Sequence, residues 1–388
     1  MGLIDMFNGM DIQQTRDYVK MSCKTYLERI MSKHMQNGLN MKEMPNRPTP
    51  LPTTGKFMES FMGAKGDSDE KVQKALVKEM GFGYRQGIGE LIYAMVTCRP
   101  DLSFAVTSAS QHSVCPAKIH FHGVKHMLKY AYMTRDDGII FWRSEPNPDL
   151  PYVEPPPIMS HAHDLLLDGR PMHSPYELHS YMDGTWASCL KTRRSFSGMC
   201  LRLAGGTVAY KSKLQPTVAQ SSTESEFMSA TDCGKMILYV RSVMWDLGIP
   251  QHAATIAYED NDACTAMANA RKPTTRTRHM DTKYHVLCEW VERDLIKLER
   301  VDTSQNLADH FTKQLGPNLF HRHVDYILGK VPPQYSSCFK RLQGILAEKS
   351  KNIQPPVVPV PKAITKRPLA AAAAKLWTSW SKVTGILV

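Results

Sequence analysis

The chain has 388 residues, 42% of them apolar and 22% charged, and its formal net charge is +11. This length and composition suit two or three domains with buried cores and exclude a wholly disordered chain. No uncharged apolar run approaches the roughly 18 residues that a membrane helix needs. The N-terminal residues also lack the pattern of a secretory signal or a myristoylation site. The sequence therefore predicts a soluble intracellular protein with no membrane partner.

The positive charge is concentrated at the C-terminus. Residues 338–388 contain nine Lys or Arg and one Glu, whereas the preceding residues hold 39 basic and 36 acidic side chains. Such a tail adds salt-sensitive attraction to phosphate, but the remainder must bind any polyanion through local patches. The nine cysteines form no CxxC pair, which argues against a zinc ribbon or a redox dithiol.

Residues 1–143 predict a mainly helical segment. We expect a short strand or loop followed by a helix within residues 1–45, further helices within residues 70–135, and a strand at 138–142, where the sequence is GIIFW. Prolines and histidines then dominate residues 144–175, which predicts a linker or insertion. Beyond residue 350 the Pro/Ala-rich, basic sequence predicts a flexible tail.

The most regular pattern lies in residues 176–316. Strands are expected at 177–183, 196–203, 207–212, 255–260 and 296–301. A long helix is expected to start at SSTESEF, with Thr223 and Glu226 as a capping box. Shorter helices follow the fourth strand, and a last helix covers residues 303–315. This order predicts a mixed α/β sheet.

Four acids stand where such a sheet could bring them together. Asp183 and Asp260 end the first and fourth strands, Glu224 lies in the first turn of the long helix, and Asp309 lies in the last helix. Like charges held together repel, and divalent cations relieve that repulsion. Two Mg²⁺ ions about 4 Å apart are suited to hydrolysing a phosphodiester. Each acid taken singly is more often a solvated surface side chain than a metal ligand.

Four ordered segments carry a family resemblance: SYMDGTWASCLKTRRSFSG, KSKLQPTVAQSSTESEFMSA, YEDNDACTAMANARKPTTRTRHMDTKYH and LADHFTKQL. They resemble the ribonuclease H domain of copia-type LTR retrotransposon Pol polyproteins. The resemblance implies that the metal-binding acids are Asp183, Glu224, Asp260 and Asp309, and that the cofactor is two Mg²⁺ ions, with Mn²⁺ as the alternative. On this interpretation the nearby acids Glu226, Glu259 and Asp262 are not ligands.

The upstream sequence YRQGIGELIYAMVTCRPDLSFAVTSASQHSVCPAKIHFHGVKHMLKYAYMTRDDGIIF resembles the part of the same polyproteins that follows the reverse-transcriptase palm. The family's polymerase motif Y-V-D-D would precede residue 1, so no DNA synthesis is expected. The predicted fold class is α/β, a ribonuclease H-like five-stranded mixed sheet with flanking helices behind a mainly helical, truncated reverse-transcriptase segment. The predicted divisions are the palm-end and thumb-like segment 1–143, linker 144–175, ribonuclease H-like domain 176–316, extension 317–349 and basic tail 350–388.

The resemblance implies metal-dependent endonucleolytic hydrolysis of the RNA strand of RNA·DNA hybrids, leaving 3′-hydroxyl and 5′-phosphate ends. Candidate substrate contacts are Arg193, Arg194, Lys211, Lys213, Arg276, Arg278 and His279, although a solvated surface explains these side chains equally well. Other Gag and Pol products are the further candidate partners, and no small-molecule cofactor is expected. The implied location is cytoplasmic, in a virus-like particle, with the nucleus as a second site. The alternative is an inactive retroelement remnant that at most binds nucleic acid.

Overall fold

The computed structural model describes residues 3–41, 48–53, 56–158, 171–269, 281–341 and 343. These residues belong to one compact unit, Met1–Gly344. Three candidate substrate contacts, Arg276, Arg278 and His279, lie outside the described residues, as does the tail 350–388. Within the described part of the chain, no helix is long and apolar enough to cross a membrane.

The N-terminal part combines helices with a small antiparallel sheet. Its strands, in spatial order, are β1 (Met6–Phe7), β2 (Met10–Gln14), β3 (Tyr18–Ser22) and β4 (Gly138–Trp142). Between β3 and β4 the chain forms α1 (Lys24–Gln36), α2 (Phe57–Gly63), α3 (Glu70–Met80), α4 (Tyr84–Thr97), α5 (Ser103–Ser110) and α6 (Lys118–Met133). The mainly helical segment and the strand at 138–142 are confirmed. The sequence did not predict that this strand pairs with β3.

A five-stranded mixed sheet follows, as predicted. Its strands are β5 (His179–Thr185), β6 (Phe196–Leu203), β7 (Gly206–Leu214), β8 (Thr255–Glu259) and β9 (Ile296–Arg300), in the spatial order β7-β6-β5-β8-β9. The first three are antiparallel, whereas β8 and β9 run parallel to β5. The accompanying helices are α7 (Ser222–Asp246), α8 (Asp262–Asn269), α9 (Asp281–Glu292), α10 (Asp309–Thr312) and α11 (Pro317–Ile327).

Two glycines allow helices to lie directly on opposite faces of this sheet. A Cβ at Gly184 would lie 2.5 Å from the carbonyl oxygen of Ser225, on α7. A Cβ at Gly198 would lie 2.6 Å from Cγ2 of Thr312, on α10. Because successive residues of a strand face opposite sides, and Gly198 is the cross-strand partner of Asp183, α7 and α10 cover different faces.

The expected last helix over 303–315 is wrong in extent. Asp302 accepts hydrogen bonds from the backbone N and the hydroxyl of Ser304, which shapes a short 3-10 turn at Thr303–Gln305. The side chain of Asn306 then accepts a hydrogen bond from the backbone N of Ala308. These local side-chain bonds compete with helical ones, so the helix is reduced to the four residues of α10.

The N-terminal helices share one buried cluster with the residues that follow α10. Leu315, Phe320, Val324 and Leu328, which follow α10, belong to the same buried cluster as side chains of α1, α4 and α6. The side-chain amide of Gln314 donates to the carbonyl oxygen of Pro52 at 2.6 Å. The helices upstream of β4 therefore support the region that carries Asp309.

Candidate metal centre

Asp183 lies on the central strand β5 and is almost fully buried, with 4% exposed. The hydroxyl of Thr312 donates to its Oδ2. The Asp183 carbonyl oxygen accepts a 2.7 Å hydrogen bond from the hydroxyl of Ser229, on α7. The residue is thus fixed by α10 through its side chain and by α7 through its backbone.

Asp260 follows β8 and lies level with Asp183. The parallel register pairs Tyr181 with Tyr258, so the residues two positions further on reach the same edge of the sheet. Oδ1 of Asp260 accepts from the side-chain amide of Asn306 at 3.3 Å, and the same amide donates to the carbonyl oxygen of Met182 at 3.0 Å. The predicted convergence of these two strand-end acids is therefore present.

The third acid of the cluster is Glu226, not Glu224. One carboxylate oxygen from each of Asp183, Glu226 and Asp260 lies within 4.8 Å of the other two. Glu226 is 8% exposed, and its Oε2 is buried without a hydrogen-bond partner among the described residues. An orphaned buried carboxylate oxygen facing two further carboxylates fits a hard divalent cation.

Glu224 has a different role, and the sequence prediction for this helix start was displaced by two residues. Ser221 is the N-cap of α7 and accepts a hydrogen bond from the backbone N of Glu224. Oε2 of Glu224 accepts from the backbone N of Gln220 at 2.6 Å. The pattern is close to a capping box, with Ser221 and Glu224 in place of Thr223 and Glu226.

The sequence contained a signal for Glu226 that the capping interpretation obscured. Glu226 lies four, seven and eleven residues before Ala230, Cys233 and Ile237, all of which are buried. In a helix this spacing places the four side chains on one face. An acid at the start of a buried apolar stripe is a stronger candidate ligand than an acid at the third helical position.

Asp309, on α10, is not among the three acids that lie within 4.8 Å of one another, but burial and the charges of Asp183 and Asp260 raise its pKa. Asp309 is 2% exposed and forms an ion pair with Nζ of Lys313 at 2.7 Å. The positive charge of Lys313 also acts on Asp183, whose pKa it lowers against the effect of burial. The lysine therefore balances part of the negative charge, and the sequence analysis did not single it out.

Burial and mutual repulsion dominate the electrostatics of the acids. Burial, with the charge of Asp183, raises the pKa of Asp309 to about 7. Burial, with the charges of Glu259 and Asp183, raises the pKa of Glu226 to about 11. The pKa of Asp183 is also raised, with burial as the largest cause. A cation would reverse this preference for the protonated forms.

The two other acids excluded by the sequence analysis differ in their surroundings. Glu259 is fully buried, and its Oε1 accepts a hydrogen bond from the backbone N of Asn261 at 3.0 Å. Burial, with the charges of Asp183 and Asp260, raises the pKa of Glu259 well above its ordinary value. Asp262 is exposed and pairs with Arg300. The cap of α8 is Asn261, whose Oδ1 accepts a hydrogen bond from the backbone N of Cys264.

The described candidate substrate contacts lie on the strands and loop beside the cluster. Arg193 and Lys213 are exposed, whereas Arg194 and Lys211 are half-buried. Lys191, in the same loop as Arg193, lies with its Nζ 3.1 Å from Nδ1 of His112. The residues 184–220 contain six Lys or Arg and no Asp or Glu, so this segment of the chain is strongly basic.

The loop between β5 and β6 has a defined internal structure. The backbone N of Cys189 donates to the carbonyl oxygen of Arg194, and the backbone N of Arg193 donates to that of Cys189. The indole Nε1 of Trp186 donates to the carbonyl oxygen of Ala219 at 3.0 Å, while the side chain remains 54% exposed. The loop therefore presents an ordered aromatic side chain to solvent.

Comparison with known proteins reveals relatives among mobile elements. The retrovirus-related Pol polyprotein from transposon TNT 1-94 of Nicotiana tabacum is 29% identical over 314 residues, 80% of this chain and 20% of the polyprotein. The corresponding polyprotein from transposon RE2 of Arabidopsis thaliana is 29% identical over 253 residues, 64% of this chain and 15% of the polyprotein. The secreted RxLR effector protein 161 of Plasmopara viticola is 32% identical over 149 residues, 38% of this chain and 84% of the effector. The chain thus spans about a fifth or less of the two polyproteins.

A solved structure that the comparison finds is RNase H1 from the halophilic archaeon Halobacterium salinarum NRC-1. It is 15% identical, with a TM-score of 0.25, and the match covers 35% of this chain and 94% of that one. No family model matches the chain.

Proposed function

Since the chain belongs to the retrovirus-related Pol polyproteins of copia-type transposons and carries a ribonuclease H-like domain, we propose that it hydrolyses the RNA strand of RNA·DNA hybrids. The reaction is endonucleolytic and leaves 3′-hydroxyl and 5′-phosphate ends. The observation that carries the proposal is the approach of Asp183, Glu226 and Asp260 to within 4.8 Å from three separate elements.

The proposed ligands are Asp183, Glu226, Asp260 and Asp309, so Glu226 takes the place that the family resemblance gave to Glu224. Mg²⁺, or Mn²⁺, bound among these carboxylates would supply the positive charge that stabilises the transition state of phosphodiester hydrolysis. The support is the donor set itself, hard oxygen ligands on a rigid sheet and two helices.

The neighbouring side chains keep these acids in place. Thr312 orients the carboxylate of Asp183 and Asn306 that of Asp260, each through a direct hydrogen bond. Lys313 holds the carboxylate of Asp309 and reduces the repulsion that the acids exert on one another. Pre-positioned ligands need little rearrangement when the substrate phosphate arrives.

We further propose that Arg193, Arg194, Lys211 and Lys213 contact the phosphates of the hybrid. An RNA·DNA duplex is recognised mainly by its shape and its 2′-hydroxyl groups, so these contacts need no sequence preference. In the same proposal, residues 1–143 correspond to part of the reverse-transcriptase region of these polyproteins. Other Gag and Pol products are the expected partners.

The direct test is cleavage of a labelled RNA·DNA hybrid by the full chain. We expect cutting in Mg²⁺, none in EDTA, and a rate at least about 100-fold lower for Asp183→Asn. Thermal unfolding of both proteins controls for folding. A folded wild-type chain that does not cut would instead indicate the inactive remnant, and a mutant with the normal rate would refute the assigned site.

A further inference from the structure

Trp186 is a large aromatic side chain that the fold holds in place without covering it. Its Nε1 donates to the carbonyl oxygen of Ala219 at 3.0 Å, yet 54% of the residue is exposed. The hydrogen bond restricts the ring, so contact with a ligand would cost little further side-chain entropy. Neither metal binding nor the packing of the core accounts for the exposure of this side chain.

The position of Trp186 relates it to the acidic cluster. Trp186 directly follows β5 and is three residues from Asp183. Its hydrogen-bond partner Ala219 lies two residues before Ser221, the N-cap of the helix that carries Glu226. The indole is therefore anchored between two segments that lead into the metal centre, at the same edge of the sheet.

The charge around the indole indicates which class of ligand would bind against it. The loop between β5 and β6 carries Lys191, Arg193 and Arg194, and residues 184–220 lack acids altogether. An exposed aromatic ring and basic side chains on one loop complement nucleic acid, in which phosphates flank sugars and bases. The minor groove of an A-like duplex is wide and shallow enough to admit such a ring.

We propose that Trp186 packs against the sugars and base edges in the minor groove of the substrate hybrid, beside the phosphate that is cut. This inference rests on the proposed function and adds a specific contact to it. Lys191, Arg193 and Arg194 contact the flanking phosphates, so the loop contributes both apolar and electrostatic contacts. Trp186 then governs substrate binding rather than the chemical step.

The test uses the full chain with Trp186→Ala and Trp186→Phe. The matched control is Trp245→Ala, because Trp245 is 66% exposed but lies on α7 roughly 28 Å along the helix axis from Glu226. Hybrid cleavage gives KM and kcat, and binding of a labelled hybrid in an Asp183→Asn background gives Kd. Thermal unfolding shows that each variant is folded.

We expect Trp186→Ala to raise KM and Kd about tenfold with kcat nearly unchanged. Trp186→Phe should retain most of the affinity, and Trp245→Ala should behave as wild type. The salt dependence of Kd should be the same for Trp186→Ala and wild type, whereas Arg193→Ala should lower its slope by about one.

The outcomes distinguish failure of the Trp186 contact from failure of the proposed nuclease function. If the wild-type chain cuts the hybrid but Trp186→Ala matches Trp245→Ala in KM and Kd, the minor-groove contact is refuted and the nuclease remains. A fall in kcat at unchanged KM would also refute the contact, since it would place the residue in the chemical step. If the folded wild type neither binds nor cuts the hybrid, the proposed function fails and the contact fails with it.

Discussion

At the scale of single residues, the candidate metal centre is a set of acids whose charges are unfavourable without a cation. Burial and neighbouring charge raise the pKa of Glu226 from 4.5 to about 11 and that of Asp309 from 3.8 to about 7. Between these values the folded chain binds more protons than the unfolded chain. Its free energy of unfolding therefore falls as pH rises through these windows.

We accordingly predict that, in EDTA, the free energy of unfolding falls between about pH 5 and pH 8. Glu226→Gln should be more stable than wild type at the upper end, by at least about 1 kcal/mol, the equivalent of one pKa unit. Urea unfolding followed by circular dichroism measures both effects. Mg²⁺ should stabilise wild type more than the variant. A variant less stable than wild type in EDTA would show that Glu226 is not in a repulsive cluster.

At the scale of the elements, sequence patterns predicted the strands better than the helix ends. The strands at 196–203 and 255–260 could be predicted because glycine turns and alternating or apolar runs define them. The start of α7 was misassigned because Ser221, Ser222 and Thr223 all suit an N-cap. The choice among them depends on which hydrogen bonds the folded backbone offers.

The site acids were predicted to the extent that strand order determines them. Asp183 and Asp260 follow from parallel strands that end at one edge, and Asp309 follows from the motif resemblance. Glu226 was missed because the segment 223–226 can be interpreted in two ways. It can form a helix cap, or it can supply a carboxylate to a site built from distant segments. Lys313 and Trp186 were not singled out because the contacts on which their proposed roles rest join segments distant in sequence.

At the scale of the whole molecule, the N-terminal helices support the metal centre through a buried ion pair. Arg99 and Asp101 are both fully buried and joined at 2.7 Å, and the hydroxyl of Tyr130 also donates to Asp101. Nε2 of His310 donates to the Asp101 carbonyl oxygen at 3.1 Å. Because His310 follows Asp309, this junction fixes the helix that carries the fourth acid.

We predict that Asp101→Asn lowers the free energy of unfolding by about 3–5 kcal/mol, since it leaves the Arg99 charge buried without a counter-ion. Urea unfolding of the full chain measures this loss. The control is Asp136→Asn, whose side chain is 64% exposed and pairs with Lys24. An exposed pair of that kind contributes less than about 1 kcal/mol. Equal effects of the two substitutions would contradict a buried junction.

The measurement that tests the account most directly is hybrid cleavage in Mg²⁺ by Glu226→Gln beside Glu224→Gln. The two substitutions make the same chemical change two residues apart in one helix. The geometry predicts that Glu226→Gln loses at least about 100-fold in rate, whereas Glu224→Gln, in the cap of α7, cuts at nearly the wild-type rate. Loss of cleavage in Glu224→Gln with normal cleavage in Glu226→Gln would contradict the metal centre described.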